Sequence, residues 1–235
     1  MRVDLSQRLI ATELMDGADV DFETFRDTLV DLAKVNRMTL AYRPTLDFLG
    51  RLHDEGLWPQ DRPLHILDVG SGYGDMLRVI ARWASRRGLE VKLTALDLNP
   101  FAERAAERAL GSAAIQFVTG DLYDYRGGVD VAISSLFTHH LAEDELIRFL
   151  EWQEANANIG WFINDLLRHP FSYRGFALLA GLMRWHRFVR HDGPMSIARA
   201  FRPEDWSRLL ALAGVRHARI KPWFPFRLCV SRVRG

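Results

Sequence analysis

Behind an apolar run, Ile66-Leu67-Asp68-Val69-Gly70-Ser71-Gly72-Tyr73-Gly74-Asp75 sets three glycines at alternate positions. Glycine has no Cβ, so such a turn brings backbone N–H groups, and the chain itself, close to a ligand. The dinucleotide fingerprint G-x-G-x-x-G would need a third glycine where this chain has Asp75, and a carboxylate there repels phosphate. Asp68 falls inside the end of the apolar run. A buried carboxylate needs a strong partner, and a ligand ammonium group would be one. Asp97 ends a second apolar run, a position from which a carboxylate accepts both hydroxyls of a ribose. A turn or helix-capping role is its alternative.

A second group of reactive side chains follows Val129–Ser134. His139 and His140 are adjacent, and five of the eight histidines fall between His139 and His191. An imidazole titrating near neutrality is suited to taking a proton from an acceptor oxygen. Asp165 is the candidate carboxylate to complete a base dyad with His140. The alternative is that either histidine packs against or caps the next helix. Neighbouring side chains diverge on most backbones, so His139-His140 makes a poor chelate, and no metal is expected. The single cysteine, Cys229, rules out an internal disulfide and a cysteine-built zinc site, and fits a reducing compartment.

These residues need a frame to hold them. The chain has 235 residues, 48% hydrophobic and 26% charged, the proportions of one globular domain with room for a small cap. No apolar run reaches the ~18–20 residues of a membrane span, and Met1-Arg2-Val3-Asp4 lacks a signal-peptide core, so a soluble, cytoplasmic protein is expected. Asp19 or Asp21 can cap a helix through Phe25, Leu29, Leu32 and Val35, and Pro44 suits the first turn of a second helix that Gly56 ends. Strands are expected at Leu64–Val69, Val91–Leu98, Ile115–Val118, Val129–Ser134 and Ile159–Ile163. Helices follow from Met76, over Phe101–Leu110 and over Glu143–Glu154. A long helical insert is expected over Ser172–Phe188, then a helix over Pro203–Ala213. A final hairpin, Val215–Ile220 and Phe226–Val233, would turn at Lys221–Pro225. Alternating strands and helices argue for a parallel sheet with helices on both faces. The closing strand pair, with no helix between, argues for an antiparallel edge. Right-handed crossovers then collect the strand C-termini at one sheet edge.

At those strand ends the sequence resembles the class I S-adenosylmethionine-dependent methyltransferases, over roughly Leu64 to Asp165. The glycine loop fits their first motif. Leu96-Asp97-Leu98-Asn99 fits their ribose-binding acidic motif, and Gly120-Asp121-Leu122 fits their adenine-contacting motif. Ser134-Ser135-Leu136-Phe137-Thr138-His139-His140-Leu141 fits the segment after the fourth strand in the small-molecule branch, which includes quinone and polyketide methyltransferases. The resemblance implies an α/β, Rossmann-like sheet of seven mostly parallel strands with an antiparallel edge strand. Residues 1–62 would form a helical lid, and 63–235 the cofactor domain with an insert at about 170–200. The cofactor would be S-adenosylmethionine. Asp68 with Gly70, Ser71 and Gly72 would face its methionine end, Asp97 the ribose, and Leu98, Gly120, Asp121 and Leu122 the adenine. Ser134 would join this set, and Arg37 of the lid would meet the cofactor carboxylate. His139 and His140 are the catalytic candidates, and Asp165, Arg168 and His169 the substrate-binding ones. The acidic Asp/Asp-Asn cluster with which catechol-type relatives bind magnesium is missing.

The implied reaction is methylation of a small aromatic or polyketide-like acceptor, at oxygen first. C-methylation of a phenolic or quinone-like acceptor, or a non-catalytic cofactor-binding role, stands as the alternative. Residues 160–235 carry 14 Lys/Arg against 4 Asp/Glu, and residues 1–159 carry 17 against 26. Such a split fits an anionic partner or surface, or faces that neutralise each other in the fold. A nucleic-acid substrate is not expected, because Ser134-Ser135-Leu136-Phe137 stands where base methylases carry N/D-P-P-Y/F. The apolar, then basic and aromatic insert after Phe176 is expected to be a lid, a core helix or a wall for a ring-bearing substrate. It leaves room for peripheral membrane contact without insertion.

Overall fold

The computed structural model describes residues 4–11, 20–108, 114–182 and 187–234, without the side chains of residues 187 and 188. Seven strands form one sheet in the order β3-β2-β1-β4-β5-β7-β6. They are β1 Leu64–Val69, β2 Val91–Asp97, β3 Ile115–Thr119, β4 Val129–Ser135, β5 Ala157–Leu166, β6 Arg219–Trp223 and β7 Arg227–Val233. Strands β1 to β5 pair in parallel. β7 runs antiparallel to both β5 and β6, so the antiparallel strand sits one place in from the outermost strand.

Every residue of β1 is buried, as a strand covered on both faces requires. Its side chains alternate between two cores. Leu67 and Val69 pack with α5 (Glu143–Asn156) and α8 (Pro203–Leu212). Leu64 and Ile66 pack with α2 (Arg43–Asp54) and α3 (Asp75–Arg86) on the other face. Parallel pairing carries the ends of β1, β2, β4 and β5 to one edge, where Val69 is in register with Leu96 and Ser134, and Ser135 with Asn164.

Two N-terminal helices frame that edge differently. α1 (Phe22–Met38) begins at Asp21, whose carboxylate accepts from the Thr24 N–H at 2.8 Å. It packs against α4 (Phe101–Glu107) through Phe22, Phe25 and Phe101. α2 is built into the core, where Phe48 stacks on Phe162 of β5 at 4.7 Å. Asp19 as a cap and the Leu110 end of the helix from Phe101 lie outside the described residues.

The C-terminal part departs from the sequence expectation. Instead of one helix over Ser172–Phe188 there are two, α6 (Pro170–Leu182) and α7 (Arg187–Arg199), and Met183–His186 between them lie outside the described residues. α7 continues through Gly193 and Pro194. Its packing explains the glycine: a Cβ on Gly193 would lie 2.0 Å from the Phe176 ring of α6. The closing hairpin is shifted, because β6 starts at Arg219 and runs through Pro222. Proline, lacking an N–H, is tolerated there since β6 is an edge strand.

The first described residues form a strap. Leu9 N–H donates to Ala198 O at 3.0 Å, and the Arg8 guanidinium donates to the carbonyls of His139 (2.8 Å) and Leu141 (2.6 Å). No helix among the described residues is long and apolar enough to cross a membrane.

Candidate active site

A cavity of about 580 Å³ opens at the C-terminal edge of the sheet. Phe25, Leu29 and Leu32 of α1 form one wall, and the loops after β1, β2, β3 and β4 form the rest. Gly70, Gly72 and Gly74 all have positive φ, a region where a Cβ is strained. A Cβ on Gly70 would fall 2.4 Å from Phe137, and one on Gly72 3.3 Å from Leu29. The loop can therefore reach the cavity only as glycine.

Asp97 ties two loops together. Its Oδ2 accepts from Gly72 N–H at 2.8 Å and its Oδ1 from Asn99 N–H at 2.9 Å. Burial raises its pKa, opposed by these two N–H groups and by His140. Each oxygen keeps a lone pair for a ligand hydroxyl. On the opposite side, Asp121 Oδ1 accepts from Tyr123 N–H at 2.9 Å, capping the one-turn helix Leu122–Asp124 and leaving its second oxygen for a ligand donor.

Beneath the glycine loop, Asp68 is 2% exposed, and its Oδ1 has no hydrogen-bond partner. Burial pushes its pKa well above the ordinary carboxylate value, and the charges of Asp75 and Asp97 push the same way. Asp75 lines the cavity, and its Oδ2 accepts from Tyr42 Oη at 2.7 Å and Asn36 Nδ2 at 3.3 Å. Burial and Asp75 raise the Tyr42 hydroxyl above its usual range, so it stays a donor. Three carboxylates gathered round one glycine turn form a site that a ligand cation would relieve.

A smaller pocket of about 110 Å³ adjoins the cavity, and Leu32, Asn36, Leu136 and His140 belong to both walls. His139 lines the smaller pocket alone, and its Nδ1 is 2.7 Å from Asp165 Oδ1. Asp165 also accepts from Thr138 Oγ1 at 2.5 Å and from the His139 and Leu166 N–H groups at 2.9 and 2.7 Å. With Nδ1–H donating to Asp165, Nε2 becomes the ring's proton-accepting nitrogen.

Residues 66–155 match a protein family described as a methyltransferase domain. Among solved structures, the chain is similar to the plantazolicin methyltransferase BpumL in complex with SAH (TM-score 0.64, 15% identity, 91% of this chain and 93% of that one). It is also similar to magnesium protoporphyrin IX methyltransferase from Synechocystis PCC 6803 with bound SAH (TM-score 0.54, 15% identity, 93% and 90%). Human N-acetylserotonin methyltransferase in complex with SAM gives a TM-score of 0.53 at 17% identity over 73% of this chain and 47% of that one. At such identities the likeness is one of fold, and the fold is the Rossmann-like methyltransferase sheet expected from the sequence. A search of curated proteins gives no match.

The residues expected to meet the cofactor mostly come together. Gly70, Ser71, Gly72, Asp97, Leu98, Gly120, Asp121 and Leu122 all line the large cavity. Ser134 does not. It is buried in β4, and Ser135, one residue on, takes the cavity side. Asp68 lies beneath the lining, and Asp75, which the sequence offered only as an argument against phosphate, is part of it. Arg37 is exposed and lines neither pocket, whereas its neighbour Asn36, one position round the helix, lines both.

The acceptor side needs more correction. Asp165 pairs with His139, not His140, and is buried away from both pockets. The two imidazoles do not diverge: they share one helical turn with centroids 4.3 Å apart. Arg168 lines neither pocket, and its guanidinium donates to Ala200 O (3.0 Å), Leu5 O (3.1 Å), Ser6 O (3.0 Å) and Asp205 (2.6 Å). His169 is exposed, and its Nδ1 accepts from Phe171 N–H at 3.1 Å at the start of α6. Its short reach back to the helix N-terminus keeps it out of the pockets.

Proposed function

We propose that this chain transfers a methyl group from S-adenosylmethionine to an oxygen of a small aromatic or polyketide-like acceptor. The observation that carries this reading is His139, backed by the buried Asp165, in the wall of a pocket that shares His140 with the large cavity. The cavity volume is in the usual range for a small-molecule site. The similar structures support the reading too, being methyltransferases named for plantazolicin, magnesium protoporphyrin IX and N-acetylserotonin and holding SAM or SAH.

The residues fit that cofactor. The unpartnered Asp68 oxygen and the clustered Asp68, Asp75 and Asp97 suit an ammonium and a sulfonium. Asp97 with Asn99 would hold the ribose hydroxyls, Asp121 the adenine amino group, and Leu98 and Leu122 the ring faces. When bound, the cofactor supplies a sulfonium methyl, whose S–C bond breaks as the acceptor oxygen forms a new C–O bond. The chain's own residues do the rest. α1 covers the cavity as the lid portion of residues 1–62, while α2 fixes it to the sheet. Asp165 orients His139, whose Nε2 takes the acceptor proton. His140, at the junction, holds the acceptor in line, and alignment supplies much of the rate.

The test is SAH formation with a panel of hydroxylated single-ring acceptors, the methylated atom being located by mass spectrometry and NMR. His139→Ala should lower kcat by about 10²–10⁴ and leave SAH affinity unchanged. Wild-type turnover in that variant would overturn the base assignment. A methyl found on ring carbon would select C-methylation, which draws on the same base. The absence of any SAM or SAH binding would overturn the enzyme reading as a whole.

A further inference from the structure

The smaller pocket holds a charge that the methyl-transfer chemistry leaves unexplained. Arg227 of β7 lines it and is 3% exposed. Its Nη2 donates to Asn36 Oδ1 at 3.1 Å, while Nη1 is buried with no hydrogen-bond partner. Arg227 makes no ion pair among the described residues. The acids whose charge reaches it are already engaged: Asp165 accepts from Thr138, His139 and Leu166, and Asp75 from Tyr42 and Asn36, while Asp192, the acid on the described lining, is 2.8 Å from His191 Nδ1. The other walls are apolar, with Val35, Leu166, Phe176 and Ile197 among them. Burial pulls the Arg227 pKa down, the mark of a cation held without enough compensation. A guanidinium stays charged even so, and a buried unpaired one is costly unless a ligand completes it.

Resting on the acceptor reading above, we propose that this pocket selects a small carboxylate-bearing acceptor, a single ring or short chain, whose carboxylate docks on Arg227. The volume limits the occupant: about 110 Å³ is smaller than the ~150 Å³ cavity that holds one benzene ring, so only a small acceptor anchored here and extending past the shared wall at Leu136 and His140 would be accommodated. Planar, two-pronged carboxylate recognition is what a guanidinium fork does best. The carboxylate is the anchor and not the methyl-accepting atom, since pairing with Arg227 draws electron density from its oxygens. A hydroxyl elsewhere on the same molecule meets His139. The proton leaves to His139 Nε2, so the acceptor's net charge is unchanged by methylation and the product keeps its anchor.

The experiment is calorimetric titration of the SAH-loaded protein with benzoate and with benzamide, a neutral molecule of nearly the same shape. Benzoate should bind at least about tenfold tighter than benzamide, the margin of a charge-assisted pair. Arg227→Met should abolish that preference and keep SAH affinity, because Arg227 is not part of the large cavity. Arg227→Lys, which keeps the charge and loses the fork, should fall between the two. Equal affinity for both probes in the wild type, or binding of neither, overturns the proposal, as does an unchanged preference in Arg227→Met. Should Arg227→Met fail to bind SAH and so fail to fold, the wild-type comparison and Arg227→Lys decide. Failure of the methyltransferase reading shows separately, as loss of SAH binding by the wild type.

Discussion

Asp165 Oδ1 and His139 Nδ1 face each other at 2.7 Å, both side chains 3% exposed, across the gap between β5 and the turn that follows β4. Burial alone would raise the Asp165 pKa. The His139 imidazole, the Thr138 hydroxyl and the Leu166 N–H outweigh it and hold the carboxyl well below its ordinary value.

That depressed value makes the dyad acid-labile. A carboxyl with a lowered folded-state pKa contributes stability fully above the ordinary carboxylate value, near pH ~4, and loses it as pH falls through the folded value. In that window the unfolded chain binds more protons, so acid favours unfolding. Asp165→Asn should cost about 1–3 kcal/mol at pH 7 and flatten the stability decline below pH ~4. Urea melts from pH 7 to pH 2 would show it. An acid limb as steep as the wild type's would refute the assignment.

Asp68 titrates the other way. Its raised pKa means that the ligand-free protein keeps a proton on it above the ordinary carboxylate range. A cofactor ammonium would favour the carboxylate, so binding should release protons. Titrating SAH in two buffers of different ionisation enthalpy at pH 6 gives the number directly. Asp68→Asn should remove the release, and a buffer-independent heat in the wild type would contradict it.

Asp97→Ala should weaken SAH binding by about 1–3 kcal/mol. It removes the proposed ribose acceptor and also frees the Gly72 and Asn99 N–H groups that shape the loop. Unchanged affinity by calorimetry would take the ribose from Asp97.

Methyl transfer should survive excess EDTA. Among the described residues no three His, Cys, Asp or Glu side chains gather as a metal site, and the paired histidines face each other. Activity lost to EDTA and restored by magnesium would reverse this expectation.

The elements whose pattern is local were legible in the sequence. β1 was read to its ends because four of its six residues are aliphatic and turn signals bound it, and the glycine loop because only glycine serves there. β5 was read as Ile159–Ile163 and runs Ala157–Leu166, since its polar end residues are satisfied by distant partners. Asn164 Nδ2, for example, donates to Ala41 O at 2.8 Å and Thr45 Oγ1 at 3.1 Å. The same physics hid the acceptor side. Which histidine meets Asp165, and where Arg168 and Arg227 spend their donors, depends on contacts across 26 to 191 positions. No residue spacing carries that information. Asn36 was within reach of a sequence argument, since it lies on the same α1 face as Leu29 and Leu32, a face Arg37 leaves.

The strap through Leu5, Ser6, Arg8 and Leu9 gives the histidine turn a foundation drawn from the far end of the chain. Arg8 grips the carbonyls of His139 and Leu141, and its guanidinium lies 4.1 Å over the Phe201 ring. Arg168 grips the strap in return. For protein engineering this segment is therefore a tuning handle: substitutions in it would reposition the turn that carries His139 and His140 without replacing any side chain that lines either pocket.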